Sequence, residues 1–333
     1  MTQVQLQQLQ RQLWNIANDL RGKMGADEFR DYILGFIFFK YLSEKAITFA
    51  NELLKDEGMA EKYNELDESN PDHAELIEGI KENSVDEVGY ALSPSQLFHS
   101  LAERGRQNQF ILDDLAETLR AIERSTLGAE SEDDFANLFE DLDINSTKLG
   151  NNANDRNELI SKVLTHLDNI DFDLSNSESD VLGDAYEYLI GEFASGAGKK
   201  AGEFYTPQTV PTLPAKIVTQ GKERLRSVYD PTCGSGSLLL RVKREVKDVD
   251  MIFGQEMNRT TYNLARMNMI LHDVHFAKFD IKQEDTLTRP QHIDMRFDAV
   301  VANPPFSAKW SADPIYLQDE RFCRYGKLAP SSK

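Results

Sequence analysis

The sequence predicts an α/β protein in two parts. An acidic, α-helical N-terminal domain is expected at residues 1–175, and a doubly wound, mainly parallel sheet with covering helices at residues 176–333. In the first part, Leu6, Leu9, Leu13 and Ile16 recur at the spacing of three and four residues that one face of a helix requires. After Ser195, short apolar segments alternate with amphipathic ones. That β-α-β-α order predicts a parallel sheet that binds its ligands at the carboxyl ends of the strands.

The apolar spacing of the first part predicts a series of helices. After a first helix to about residue 20, a second is expected at 27–56, and the very acidic stretch 56–87 is expected to be a charged connector with only short helix. The further predicted helices are 93–101, 109–124, 132–139, 155–167 and 179–193.

The second part is predicted to contain four strands with two helices between them. The strands are expected at 227–229, 251–253, 276–279 and 297–301, and the helices at 236–247 and 258–271.

Charge is distributed unevenly between the two parts. Residues 1–175 carry 16 Lys and Arg against 35 Asp and Glu, whereas residues 176–333 carry 21 of each, so the net charge of −19 lies in the first part. DNA-binding proteins gain much of their affinity from Lys and Arg on phosphates. We therefore expect this chain alone to bind DNA weakly. If DNA is the substrate, a partner protein would have to supply the affinity for it.

Targeting signals and metal-ligand patterns are absent from the sequence. No apolar run approaches the roughly 20 residues of a membrane span, and the glutamine-rich N-terminus does not resemble a secretory signal. Cys233 and Cys323 are the only cysteines, and the six histidines are scattered. These features predict a cytoplasmic protein without a disulfide framework, a bound metal or a membrane anchor.

A glycine-rich turn follows the first predicted strand. Asp230 follows that strand directly, and the turn residues Gly234, Ser235 and Gly236 lead to Ser237 at the start of a helix. Glycines permit a sharp turn and a close approach of ligand to backbone. Glu256 ends the next strand, 20 residues after Gly236, where a carboxylate can accept hydrogen bonds from ribose hydroxyls. The combination favours a nucleoside site over a turn of purely structural purpose.

The residues around the glycines indicate which kind of nucleoside ligand the turn would bind. A dinucleotide fingerprint would place a third glycine where this chain has Leu239, and the acidic Asp230 favours an amino-bearing ligand such as the methionine end of S-adenosylmethionine (AdoMet) over a diphosphate. Asp285, near the end of the third strand region, is a candidate for the adenine amino group. It is equally well placed to cap the backbone at Thr286 and Leu287, and the sequence leaves both roles open.

A proline-rich turn follows the last predicted strand and is the candidate catalytic element. It consists of Asn303, Pro304, Pro305 and Phe306. The prolines stiffen the backbone, so that the Asn303 amide oxygen and the Pro304 carbonyl can accept hydrogen bonds from one exocyclic amino group. The freed nitrogen lone pair would then attack a sulfonium methyl in line, while Phe306 offers a flat face for a flipped base.

These motifs resemble those of DNA adenine-N6 methyltransferases that serve as modification subunits of type I restriction-modification systems. Residues 230–236 resemble the AdoMet motif of amino-methyltransferases, and residues 303–306 resemble their catalytic motif. A segment before the glycine turn is similar to the additional AdoMet motif of the adenine-N6 enzymes, which implies cofactor contacts by Glu203, Phe204, Tyr205, Thr206, Pro207 and Gln208. The N-terminal half is similar to the helical domain of those subunits.

The resemblance also implies the fold and the partners. The second part is expected to be a class I AdoMet-dependent methyltransferase domain. Because that sheet has seven strands and only four are recognised, the domain is expected to be truncated at its C-terminus. The implied partners are DNA reached through a specificity subunit, a second modification subunit and a restriction subunit.

Other readings of the same residues remain open. N4-cytosine methylation also targets an exocyclic amine, although Asn303 favours adenine. Methyltransferases for a protein glutamine or a ribosomal RNA guanine use similar turns. A fragment that acts only in assembly is the non-enzymatic alternative.

Overall fold

A computed structural model describes residues 3–20, 26–172, 181–196, 209–305, 310, 312–324 and 326–330. It divides into two compact units, Met1–Ala302 and Asn303–Lys333. None of the described helices is both long and apolar enough to cross a bilayer.

The N-terminal region is helical, as predicted. Its helices are α1 (Gln3–Leu20), α2 (Ala26–Asp56), α3 (Pro71–Glu87), α4 (Phe98–Arg106), α5 (Leu112–Ser125), α6 (Glu132–Phe135), α7 (Ala153–Asp168) and α8 (Val181–Gly196). Short 3-10 turns lie at Tyr63–Glu65 and Pro94–Gln96. The helices share one apolar core, which includes the fully buried Leu13, Ile37 and Leu164. The helix predicted at 132–139 is shorter in the structure, where α6 covers only Glu132–Phe135.

Helix α3 corrects the expectation of a charged connector at residues 56–87. It spans 17 residues, begins with Pro71 at its first position, and is capped by the Asn70 side chain, which accepts a hydrogen bond from the Asp72 N–H. Ile77 and Ile80 are buried at a spacing of three residues, while the acidic side chains face solvent. Two apolar anchors and a good cap are therefore enough to hold a helix that composition alone describes as a solvated linker.

The second region contains the predicted parallel sheet. Its strands are β1 (Arg224–Asp230), β2 (Asp248–Glu256), β3 (Phe279–Gln283) and β4 (Ala299–Val300), in the order β3-β2-β1-β4. Helices α9 (Thr209–Thr219), α10 (Ser237–Glu245) and α11 (Arg259–Leu271) accompany them. All the pairs are parallel, and Asp230 lies opposite Gly254 while Glu256 lies opposite Gln283. The carboxyl ends of β1 and β2 therefore meet at one edge.

The third and fourth strands differ in their bounds from the prediction. Residues 276–278 form a 3-10 turn and β3 begins only at Phe279. Phe276 is buried from this turn, whereas Ala277 and Lys278 are exposed. β4 has two residues, and the Val301 N–H continues its ladder by donating to the Tyr229 carbonyl at 2.9 Å. Phe297, predicted as the first residue of β4, instead stacks on Tyr229 with 4.7 Å between ring centroids.

The apolar interior of this region is a second cluster. It runs from Ala215 to Val301 and includes the fully buried Leu239 and Val228. Helix α11 contributes to both clusters, with Leu264, Met267 and Leu271 in the first and Ala265 and Met269 in the second. The domain boundary at residue 175 remains a prediction.

The second unit, taken by itself, is small and carries an aromatic cluster. A 3-10 helix at Pro314–Gln318 precedes the short helix α12 (Glu320–Cys323). The Trp310 ring lies 5.4 Å from that of Tyr316 and 6.2 Å from that of Phe322, centroid to centroid.

Candidate functional site

The turn between β1 and α10 has a backbone that only glycine adopts easily. Gly234 and Gly236 have φ angles of 56° and 80°, and Gly236 is the left-handed N-cap of α10. A Cβ at Gly236 would lie 2.6 Å from Cε of Met269 on α11. The dihedral angle therefore favours glycine here, and the Met269 side chain would have to move to admit a Cβ.

Glu256 holds this turn from the end of β2. Its Oε2 accepts a hydrogen bond from the Gly234 N–H at 3.1 Å, and its Oε1 accepts one from the Asn258 N–H at 2.8 Å. Burial raises the pKa of the Glu256 carboxyl, while these backbone N–H groups oppose that shift. Each carboxylate oxygen offers about two acceptor positions. Glu256 can therefore orient the turn and still accept hydrogen bonds from a ligand.

Asp230 lies beneath the turn and is almost fully buried, with 1% of its surface exposed. Its Oδ1 accepts hydrogen bonds from the Thr232 N–H at 2.9 Å and, more weakly, from the Thr232 hydroxyl at 3.4 Å. Burial raises the pKa of this carboxyl to about 7, and the nearby negative charge of Glu256 adds to the rise. No basic side chain among the described residues forms an ion pair with Asp230. A buried carboxyl of this kind is suited to a cationic group that arrives with a ligand.

Ser235 and Ser237 complete the turn and are both buried. Their hydroxyl oxygens lie 3.0 Å apart. The carbonyl of Ser235 accepts a hydrogen bond from Nδ2 of Asn268 at 2.9 Å, and Asn268 is fully buried on α11. Sequence reasoning missed Asn268, although a polar residue among the apolar positions of a helix was an available signal.

Asp285 makes the local contacts that were one of its two predicted roles. Its Oδ1 accepts a hydrogen bond from the Leu287 N–H at 3.0 Å, and its Oδ2 accepts one from the Thr288 hydroxyl at 3.1 Å. The neighbouring Thr286 hydroxyl donates to the Pro231 carbonyl at 2.5 Å, which joins this loop to the glycine turn. The loop thus borders the turn, and a role of Asp285 toward adenine remains a prediction.

A buried amide on β2, which sequence reasoning also missed, supports the loop of Asp285. Nε2 of Gln255 donates to the carbonyls of Glu284 and Arg289, both at 3.0 Å, and its Oε1 accepts a hydrogen bond from the Gln291 N–H at 3.0 Å. Gln255 is fully buried. It follows that β2 fixes both the glycine turn and the Asp285 loop through two adjacent residues.

The remaining predicted site residues lie either in the second compact unit or outside the described residues. Asn303, Pro304 and Pro305 follow β4 in the chain and begin the second compact unit. Phe306 and the segment Glu203, Phe204, Tyr205, Thr206, Pro207 and Gln208 lie outside the described residues. Within the part of the chain that is described, no group of three or more His, Cys, Asp and Glu side chains is arranged to hold a metal ion.

Comparison with known proteins places both regions in one family. Residues 177–333 match the family model described as N-6 DNA Methylase, and residues 9–167 match the HsdM N-terminal domain. The Type I restriction enzyme MpnII methylase subunit of Mycoplasma pneumoniae is 38% identical over 98% of this chain and 63% of its own length. The MjaIX methylase subunit of Methanocaldococcus jannaschii is 28% identical over 97% of this chain and 55% of its own length. The chain thus spans somewhat over half the length of these relatives.

A solved structure gives the same result. The type I restriction-modification system methyltransferase subunit from Streptococcus thermophilus is 42% identical, with a TM-score of 0.85 over 98% of this chain and 69% of that one. The chain therefore belongs to the family of methyltransferase subunits of type I restriction-modification systems.

Proposed function

We propose that this chain binds AdoMet and transfers its methyl group to the N6 amino group of adenine in duplex DNA, as the modification subunit of a type I restriction-modification complex. The observation that carries the proposal is the glycine turn, held by Glu256 at the carboxyl ends of the two central strands. Family membership supports the choice of adenine, because the matching model describes N-6 DNA methylases.

The residues of the turn fit AdoMet. Glu256 retains acceptor positions for the two ribose hydroxyls beyond its bonds to Gly234 and Asn258. Asp230 offers a buried carboxylate to the ammonium group of the methionine end. Ser237 opens α10, whose first-turn N–H groups can meet the methionine carboxylate. When bound, AdoMet supplies an electrophilic methyl group on its sulfonium sulfur.

A dinucleotide fits the same turn poorly. The third glycine of the dinucleotide fingerprint lets a helix pack closely on its strand, but Leu239 fills that place with a fully buried side chain in the core. A diphosphate at the start of α10 would also meet the Asp230 carboxylate. Repulsion in this buried setting would offset much of what the helix N-terminus contributes.

We assign the reaction to the residues that follow β4. Asn303 and the Pro304 carbonyl would accept hydrogen bonds from the target amine and draw its lone pair out of conjugation, and Pro305 would keep this backbone rigid. Phe306 would stack on the flipped base, a contact worth about 1–3 kcal/mol. Chemistry of this kind needs no covalent intermediate, so neither Cys233 nor Cys323 has a part in it.

The segment 203–208 and Asp285 complete the proposed cofactor site. We assign Glu203, Phe204, Tyr205, Thr206, Pro207 and Gln208 to AdoMet on the resemblance of their sequence. Asp285 would accept a hydrogen bond from the adenine amino group of AdoMet, in addition to its own loop contacts.

The negative charge of the helical region indicates that the activity requires partner subunits. Because residues 1–175 carry an excess of 19 acidic residues, phosphates are repelled rather than bound there. A specificity subunit would supply DNA affinity and sequence recognition, with a second modification subunit and a restriction subunit in the complete complex. We expect this assembly in the cytoplasm.

Replacing Glu256 by Ala should weaken AdoMet binding by about 1.5–3 kcal/mol, the scale of hydrogen bonds to a charged group. The loss arises both from the ribose contacts and from the release of the Gly234 N–H. Isothermal titration calorimetry on folded protein measures it. The matched control is Glu223→Ala, which removes a carboxylate that is 81% exposed beside Lys247 and should leave affinity unchanged. Unaltered AdoMet affinity in Glu256→Ala would contradict the assignment.

AdoMet affinity should rise with pH between about 5.5 and 7, approaching tenfold per pH unit at the lower end. The ligand-free pKa of Asp230 is raised to about 7, so the carboxyl must lose a proton before it can pair with an ammonium group. Asp230→Asn should flatten this profile. Above pH 7 the variant should also unfold at a higher urea concentration than the wild type. The raised pKa means that the folded protein favours the protonated carboxyl of Asp230, and the stability that this provides is lost as the pH rises through 7. Equal pH profiles for the two proteins would rule out a contact of Asp230 with the ligand.

Asn303→Ala should reduce methyl transfer by at least about 100-fold while AdoMet affinity stays nearly constant, because the amide acts mainly as charge develops on the target nitrogen. The measurement is single-turnover transfer of tritiated methyl to hemimethylated duplex DNA by the complex with its specificity subunit, followed by identification of the modified base. Asn145→Ala, an exposed position, serves as the control.

Two results would count against this mechanism. A near-normal rate in Asn303→Ala would reduce residues 303–306 to a structural turn. Label on a protein glutamine, on guanine or on cytosine N4, with none on adenine N6, would replace the proposed substrate.

A further inference from the structure

Helix α11 is fixed on opposite faces by two different parts of the chain. At 3.6 residues per turn, Thr260, Asn263 and Arg266 project from one face, whereas Ala265, Asn268 and Met269 project from the other. The second face contacts the glycine turn, through the Asn268 bond to the Ser235 carbonyl and the close packing of Met269 on Gly236. The first face contacts the N-terminal helical region.

Those contacts with the helical region form a set of polar bonds that we call the α11 latch. It consists of Thr260, Asn263 and Arg266 on α11 and of residues 133–141 of the helical region. Nδ2 of Asn263 donates to carboxylate oxygens of Glu140 at 2.9 Å and of Asp141 at 3.1 Å. The Thr260 hydroxyl donates to Asp141 at 2.8 Å.

Arg266 lies at the centre of the latch and is 1% exposed. Its guanidinium donates to the carbonyls of Asp133 at 2.8 Å and Ala136 at 3.1 Å, and to Oδ1 of Asn263 at 2.6 Å. It also lies 4.2 Å from the centre of the Tyr262 ring. A buried guanidinium whose partners are fixed carbonyls tolerates little displacement, because an unpaired charge there is costly.

The amino end of α11 is connected to the glycine turn through Glu256. Asn258 caps the helix by accepting a hydrogen bond from the Thr261 N–H at 2.9 Å, and the Asn258 N–H itself donates to Glu256. The same helix therefore bears on the turn at Ser235, at Gly236 and at the carboxylate that holds Gly234. A shift of α11 away from residues 133–141 would disturb all three contacts.

We propose that the α11 latch sets the affinity of the glycine turn for AdoMet, with α11 as the rigid link, so that the helical region and the cofactor site are energetically coupled. Asn263 and Arg266 are positioning residues in this account, since neither touches the turn. The inference rests on the proposed function only in naming AdoMet as the ligand. By reciprocity, AdoMet should in turn strengthen the latch.

Asn263→Asp tests the coupling directly. It places a new carboxylate oxygen about 3 Å from those of Glu140 and Asp141, where like charges repel. Two measurements are made on the full chain: AdoMet affinity by calorimetry, and hydrogen exchange of the Gly234, Gly236 and Leu240 amides without ligand. We expect about tenfold weaker binding, within the usual range of coupling between sites, and faster exchange at the turn.

Two further variants separate coupling from general damage. In the triple variant Asn263→Asp, Glu140→Gln, Asp141→Asn, both new amides can donate to the new carboxylate, so affinity and exchange should return toward the wild type. Asn83→Asp adds the same charge on α3, at an exposed site whose amide donates to the Gly79 carbonyl, and should change neither measurement. If Asn263→Asp does not fold, AdoMet-induced slowing of exchange at residues 136–141 in the wild type replaces it as the test.

The outcomes distinguish this inference from the proposed function. Wild-type affinity and wild-type turn exchange in folded Asn263→Asp would overturn the coupling, as would failure of the triple variant to restore either. If the wild type binds no AdoMet, the proposed function fails, and turn exchange alone then decides whether the latch controls the turn.

Discussion

The left-handed backbone at Gly236 is the constraint on which the geometry of the candidate site depends. With φ at 80° and Met269 packed where a Cβ would stand, this residue fixes the point at which β1 gives way to α10. The Leu240 N–H donates to the Gly236 carbonyl at 3.0 Å and so begins the hydrogen-bond ladder of α10 at this residue. Glu256 can reach the Gly234 N–H because the parallel register brings the ends of β1 and β2 together. A side chain at Gly236 would therefore strain the backbone where α10 begins and would move the Met269 side chain on α11.

Burial and charge then give the turn its chemistry. Asp230 and Glu256 are both carboxyls whose pKa is raised by burial. Glu256 is held by backbone N–H groups, whereas among the described residues Asp230 accepts hydrogen bonds only from Thr232. The surroundings of Glu256 suit neutral hydroxyl groups, and those of Asp230 suit a positive charge. A ligand with a ribose and an ammonium group, such as the proposed AdoMet, would satisfy both.

Sequence reasoning succeeded where the signal was local and failed where it was not. The parallel sheet, the glycine turn and Glu256 at the end of β2 follow from alternation, from glycine spacing and from distance along the chain. Arg266 could not be found in this way, because it bonds with carbonyls some 130 positions earlier and such pairings leave no local pattern. Asn268 left only the weak signal of a polar residue among the apolar positions of a helix. Helix α3 was misjudged for another reason: acidic composition outweighed the two buried isoleucines that hold it.

Binding of AdoMet at the turn between β1 and α10 is tested most directly by ultraviolet cross-linking of methyl-tritiated AdoMet to the full chain, followed by peptide mapping. Label should appear in peptides that cover residues 202–208, 229–239 or 254–258, should be abolished by excess S-adenosylhomocysteine, and should fall in Glu256→Ala. Specific labelling confined to peptides of residues 9–167, or no competable labelling at saturating AdoMet, would contradict the account.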